Sequence, residues 1–242
     1  MIEIKIDATE STNDYLKQMM RRLPVTDGTM VSTDHQTKGK GQRGSSWYFE
    51  VDNSLAISIL KQFDGAKHIY PFQVQMRVSI AIIQVLDRWG VPDLQIKWPN
   101  DIMSDGLKIA GILIENLYQG HLKSSVIGLG LNVNNESMTD LPKASSLFLA
   151  TQKISDISAL KKAIYQEIMK ELAVIDTAEF ANDKERYETR LYRKGESAQF
   201  MTDTGRQFEG TIRGVSQEGL LQIEDQTQQV QSFDLKTIVF LD

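Results

Sequence analysis

The sequence is richest in usable chemistry at Lys97-Trp98-Pro99-Asn100-Asp101, followed seven residues on by Lys108. Pro99 holds Trp98 in an extended conformation and closes the helical option, which leaves Asn100 and Asp101 at the tip of a strand. Asp105-Gly106 is a favoured two-residue hairpin centre, so Ser104 pairs with Leu107 and Met103 with Lys108. Asp101 then shares a face with Lys108, one diagonal away, at ~7–8 Å between backbones. A carboxylate and an ammonium on one wall can hold an anion and take up a proton. An ordinary exposed ion pair has the same signature and contributes ~1 kcal/mol or less, and a different turn length would move the two residues to opposite faces.

Further candidates surround this pair. Gly39-Lys40-Gly41-Gln42-Arg43-Gly44 matches a dinucleotide fingerprint in its glycines, but it runs into Ser45-Ser46-Trp47 rather than opening a helix, and it is not a P-loop. Its glycines let the backbone approach an anion, and Lys40 and Arg43 add cationic donors; a solvated loop would have the same composition. Gly111 interrupts an apolar strand, Ile109 to Ile114, that is expected to be buried on both faces. Gly128 and Gly130 bare one side of another strand, with Asn132 just beyond, for a ligand or for close packing. His35, His68 and His121 have no ligand-like spacing, and no nucleophile elbow is present.

Positioning these residues requires a helix from Asn13 to Arg22 capped by Ser11, which sets Ser11, Thr12 and Asn13 at its mouth. Strands are expected over Thr29–Asp34 and Asn53–Leu60, a core-facing helix over Phe72–Trp89, and an antiparallel meander from Leu94 to Val133. Helices follow over Ile157–Ile175 and Ala178–Tyr192. From Gly195 the pattern changes to four or five short strands with turn signals, which suits a small barrel and a boundary near Lys194. The fold class is α/β (α+β): a mixed or antiparallel sheet with helices over residues 1–193, and a small all-β barrel over 194–242.

Composition narrows the function. With 27 Lys+Arg against 32 Asp+Glu, the net charge of −5 argues against general attraction to nucleic acid or an anionic membrane. The absence of cysteine excludes disulfides, a thiol nucleophile and Cys-containing metal sites. No apolar run reaches the ~18–20 residues that span a bilayer, and the start lacks a signal peptide, so a cytoplasmic location is expected.

Taken together, Ser11-Thr12-Asn13, Gln36 with the glycine loop and Trp47, the Lys97–Asp101 motif, Lys108-Ile109-Ala110-Gly111-Ile112-Leu113-Ile114-Glu115 and Gly128-x-Gly130-x-Asn132 resemble the biotin protein ligase family. The likeness covers essentially the whole chain. It implies a catalytic α/β domain joined to an SH3-like C-terminal barrel, and an enzyme that activates biotin with ATP and Mg²⁺ to biotinyl-5′-AMP. The biotinyl group would then pass to a lysine of a biotin carboxyl carrier domain. By the resemblance, Lys108 and Asp101 are catalytic. Ser11, Thr12, Asn13, Gln36, Gly39, Lys40, Gly41, Gln42, Lys108, Gly111 and Leu113 bind biotin, and Arg43, Trp47, Lys97, Asn100, Asp101 and Asn132 face the nucleotide. No residue is assigned to a resident metal. The short stretch before Ser11 implies a monofunctional type without the DNA-binding domain.

One departure concerns the loop, where the family commonly carries three arginines at the positions of Lys40, Gln42 and Ser45. Lysine lacks bidentate phosphate geometry and glutamine lacks charge, so weaker retention of the adenylate is expected unless Arg43 takes over. Alternatives are the related lipoate ligases, whose dithiolane needs fewer polar partners than a ureido ring, and a non-enzymatic small-molecule binding module.

Overall fold

Sequence patterning assigns no element before Ser11, yet the computed structural model, which describes residues 1–63, 65 and 69–241 with the side chain of Arg43 excepted, begins with a strand. β1 (Ile2–Thr9) is an edge strand with half its residues exposed, so its alternation is a weak signal. The turn into α1 (Thr12–Arg22) is made by Ser11, whose hydroxyl accepts from the Asp14 amide at 3.5 Å. α1 returns the chain to β2 (Thr29–Gln36), which lies parallel to β1, as a helical crossover allows.

The glycine loop is a small hairpin of β3 (Gly39–Lys40) and β4 (Ser46–Trp47) around a 3-10 turn at Gln42–Gly44. β5 (Ser54–Gln62) and the helix α2 (Pro71–Arg88) follow. The expected meander is β6 (Leu94–Lys97), β7 (Asp101–Ser104), β8 (Leu107–Tyr118) and β9 (Leu122–Asn132), every neighbouring pair antiparallel. A short α3 (Leu147–Thr151), not foreseen, precedes α4 (Ile157–Glu171) and α5 (Phe180–Thr189). The seven-stranded sheet runs β1-β2-β5-β9-β8-β7-β6.

Period-two alternation decides what each face of this sheet meets. Ile57, Ile59, Ile127, Leu129, Ala110 and Ile112 belong to the main core beneath α2 and α4. On the opposite face Val31, Leu60 and Val126 pack under Leu16 of α1. Farther along that face the side chains shrink. Asp101 pairs with Gly111, Gly111 with Gly130 and Gly130 with Ala56, and the next rung is Leu113, Gly128 and Ser58. The floor is therefore bare beyond the N-terminus of α1. The expectation that Ile109–Ile114 is buried on both faces is corrected: Ile109, Ala110 and Ile112 are buried, whereas Gly111 and Leu113 are only partly covered because they face a cavity.

The C-terminal strands are β10 (Ser197–Thr202), β11 (Gln207–Val215), β12 (Leu221–Asp225), β13 (Val230–Phe233) and β14 (Ile238–Phe240), an antiparallel sheet in the order β13-β12-β11-β10-β14. Phe200, Ile212, Val215, Leu221 and Ile223 join the same hydrophobic core as α2 and the large sheet. The Trp98 indole N–H donates to the Gly219 carbonyl at 2.9 Å, and the Val215 amide donates to Glu188 at 2.9 Å. Gly219 lies against the Phe72 ring, where a Cβ would collide. Among the described residues no helix is long and apolar enough to cross a membrane.

Candidate active site

The bare stretch of sheet is the floor of a cavity of about 360 Å³. The mouth of α1 closes one end, the Lys97–Asp101 turn the other, and the glycine hairpin lies across the top. Leu235, Ile238, Val239 and Phe240 supply a wall that sequence reasoning missed, because nothing in their types suggests a ligand. The size is in the range of small-molecule sites.

At the chemical end, Lys108 Nζ lies 2.7 Å from Asp101 Oδ1. The pair forms by a different register from the expected one. Ser104 opposes Leu107 and Met103 opposes Lys108, but Ile102 then opposes Ala110, so Ile109 is an extra residue and Asp101 stands opposite Gly111. This β-bulge re-aims Lys108 onto the face of Gly111; a Cβ on Gly111 would be 3.4 Å from Lys108 Cε. The bulge is clamped from outside, since the Lys108 amide donates to the Lys143 carbonyl at 2.9 Å and its carbonyl accepts from the Ser145 amide at 2.8 Å.

Asn132, expected on the nucleotide side, is buried and does not line the cavity; its amide donates to the Ser145 carbonyl at 2.9 Å and so supports that clamp. Asn100 does line the cavity, with its amide donating to the Ile112 carbonyl at 2.7 Å. Lys97 lines it beside Phe240, its Nζ 4.9 Å from the ring centroid.

Trp47 lies flat over the glycine pair. A Cβ on Gly111 would meet its ring at 3.1 Å, and one on Gly130 would collide with it outright. Lys108 Nζ stands 5.5 Å from the ring centroid, and the indole N–H is buried without a partner among the described residues. The Trp47 backbone pairs with Gly39, which is buried within the hairpin and does not line the cavity.

The hairpin is held by its own bonds and by α1. The Gly41 amide donates to the Ser45 carbonyl at 2.7 Å, and the Ser45 hydroxyl to the Gln42 carbonyl at 2.8 Å. Lys40 Nζ pairs with Asp14 at 2.5 Å, Asp14 with Lys17 at 2.9 Å, and Lys17 with Glu115 at 2.6 Å. Burial pushes the Asp14 carboxyl up, but Lys40 and Lys17 outweigh it and hold it below its usual range. Lys40 and Gln42 line the cavity with Gly41, while the side chain of Arg43 lies outside the described residues.

At the polar end, Gln36 Oε1 accepts from the Thr12 amide at 3.0 Å, which leaves its Nε2 without a partner among the described residues. Asn13 reaches the sheet only because position 128 is glycine, where a Cβ would collide with its amide. Its Nδ2 donates to the Leu113 carbonyl at 3.2 Å and to Glu115 at 2.9 Å. Ser58, fully buried on β5, touches Asn13 Oδ1 at 2.5 Å and Thr12 Oγ1 at 2.8 Å. The sequence assigns no site role to Asp14, which enters only beside the helix cap, to Glu115, which enters only as the end of the Lys108–Glu115 motif, or to Ser58; only the pairing of Ser58 with Gly128 brings it to the site.

The profile of the Biotin/lipoate A/B protein ligase family matches residues 6–132, just over half the chain. The chain belongs to that family. Among its relatives, the "Bifunctional ligase/repressor BirA" of Bacillus spizizenii is 30% identical over 206 residues, 83% of this chain and 62% of that protein. The human "Biotin--protein ligase" is 34% identical over 142 residues, 55% of this chain and 19% of its own length. The chain thus spans less than two thirds of these curated relatives. Among solved structures, the biotin protein ligase from Aquifex aeolicus in complex with biotin and ATP superposes with a TM-score of 0.82 over 99% of this chain and 98% of that one. At 22% identity that likeness is one of fold, and it includes the C-terminal sheet of this Biotin/lipoate A/B ligase family member.

Proposed function

We propose that this family member is an ATP-dependent biotin protein ligase, with residues 1–193 as its biotin and ATP domain and 194–242 as a C-terminal domain walling the site. The observation that carries the reading is the cavity's layout: hydrogen-bonding groups of Ser11, Thr12 and Gln36 at one end, a glycine-and-indole floor between, and the Lys108–Asp101 pair at the other. A ureido ring, an apolar bicycle with its chain, and a carboxylate fit these in order.

In the first step a biotin carboxylate oxygen attacks the α-phosphorus of ATP. An O–P bond forms, the α–β bridge breaks, and pyrophosphate leaves. Two anions at 4 Å repel by ~4 kcal/mol at an effective dielectric near 20. Lys108 Nζ, held on the cavity side by the bulge, neutralises the carboxylate oxygen and α-phosphate together and stabilises the charge as it builds. In the second step the carrier lysine attacks the acyl carbon and AMP leaves with the bridging oxygen. An amine of ordinary pKa near 10.4 must shed a proton to do so, and Asp101 is placed to orient it or accept that proton.

Among the described residues no three His, Cys, Asp or Glu side chains converge, so Mg²⁺ in this reading arrives on the phosphates of the nucleotide. Lys108, at the reacting end, and Lys97, which lines the same cavity, are the cations assigned to the phosphates in this reading.

ATP–pyrophosphate exchange decides the substrate. Biotin should support isotope exchange and lipoate should not; exchange with lipoate alone would make the protein a lipoate ligase, and biotin binding without exchange would make it a binding module. In the same frame, Gly130→Ala should lift the indole from its floor and weaken biotin binding ~5- to 100-fold by calorimetry, the usual penalty of overpacking. Unchanged affinity would show that biotin does not use this floor.

A further inference from the structure

The hydrogen bonds behind the polar end fix which way each proton points. Asn13 Nδ2 faces two acceptors, the Leu113 carbonyl at 3.2 Å and the Glu115 carboxylate at 2.9 Å, and Lys17 at 2.6 Å holds Glu115 in place. The amide is thereby oriented, with Oδ1 toward Ser58 at 2.5 Å. An amide oxygen only accepts, so the single proton of Ser58 must go to it. The contact between Ser58 Oγ and Thr12 Oγ1, 2.8 Å, then needs its proton from Thr12. Two lone pairs facing each other at that distance, with no water reaching the fully buried Ser58, would be costly.

Thr12 therefore has no proton left for the cavity. Its backbone N–H donates to Gln36 Oε1 at 3.0 Å, and that oxygen, 3.3 Å from the Thr12 hydroxyl, is a second, longer acceptor for the hydroxyl proton within the protein. What Thr12 presents to a ligand is a lone pair, while Gln36 Nε2 beside it presents hydrogens.

We propose that Ser58 and Glu115, neither of which lines the cavity, are specificity-determining positioning residues. Acting through Asn13, they hold the Thr12 hydroxyl as an obligate acceptor, so the site demands an N–H donor at that point of the ligand ring and rejects an oxygen there. The inference rests on the biotin reading and adds the residues that impose its selectivity. Without Ser58 the Thr12 hydroxyl loses its nearer partner and keeps only the longer 3.3 Å approach to Gln36 Oε1, so it can turn and donate to a ligand.

The test is calorimetric binding of biotin and of the two cyclic carbamates in which one ureido N–H is replaced by oxygen. Wild type should bind one carbamate about ten- to a hundredfold more weakly than biotin, because the ring oxygen then faces a lone pair. In Ser58→Ala that ratio should shrink to about threefold or less, whatever happens to absolute affinity, since a merely structural defect weakens both ligands alike. Glu115→Gln, at a half-exposed position, should shrink the ratio in the same direction and carries the decision if Ser58→Ala does not fold. A ratio unchanged in a folded variant removes that residue from the account. Wild type that binds biotin and both carbamates equally overturns the inference alone; wild type that binds no biotin overturns the reading of the site as well.

Discussion

Lys108→Ala is expected to slow biotinyl-adenylate formation ~10²–10³-fold, the usual cost of removing one preorganised charge-stabilising donor. Pyrophosphate exchange under saturating biotin and ATP would measure it. The loss should fall on the rate rather than on biotin affinity, because the ammonium is most needed where carboxylate and phosphate charge converge. The fold should survive. The Lys108 side chain is about a third exposed, its clamp to residues 143 and 145 uses backbone groups that alanine keeps, and the Asp101 side chain, about a quarter exposed, borders the cavity that the shorter side chain would widen. Exchange at wild-type rate would remove Lys108 from the first step. The bulge makes Arg a poor replacement too, since a longer planar head must fit between the Trp47 ring and Asp101.

Asp183→Ala is expected to lower stability by ~3–5 kcal/mol, read as a drop in the urea midpoint at unchanged slope. Asp183 is fully buried and accepts from Arg77 Nε and from Gln73 Nε2, each at 2.7 Å. Arg77, itself buried, also donates to the Glu171 carbonyl at 2.8 Å. Removing the carboxylate leaves a guanidinium charge in the core between α2, α4 and α5. Replacing both partners with apolar residues, Arg77→Met with Asp183→Leu, should restore most of the loss, because the isolated charge rather than the missing attraction sets the cost. A single variant within 1 kcal/mol of wild type would mean that water reaches the site.

The contrast between those sites shows what the sequence could convey. Helix α1, with Ser11 as its cap, is written in local capping chemistry, and α2 in its apolar periodicity. The break near Lys194 does coincide with a separate sheet, but composition gives no hint that its residues share one core with α2. Lys108 beside Asp101 is legible from the Asp105-Gly106 turn, whereas the bulge at Ile109 that achieves it has no sequence mark, since any residue can be the extra one. Asn132 reads as a ligand contact because an amide beyond two glycines has no evident structural task, and only the fold reveals the Ser145 carbonyl that it holds. Ser58 is a serine in an apolar run, indistinguishable from a packing residue until its strand is paired with Gly128. Long-range register, not residue type, decided these outcomes.

The rungs described for the large sheet also act as a ruler. From Asp101 on β7 to Ser58 on β5 the floor crosses three strand spacings, about 14 Å at the usual separation between neighbours. A hydrogen-bonded sheet buried on its other face does not stretch, so under the proposed biotin reading the span between the grip on the ring and the reacting centre is set by backbone rather than by mobile side chains. Displacement of a reacting group by about 1 Å can cost ~10²-fold in rate, so side-chain length in the small molecule is gauged by the pleat itself.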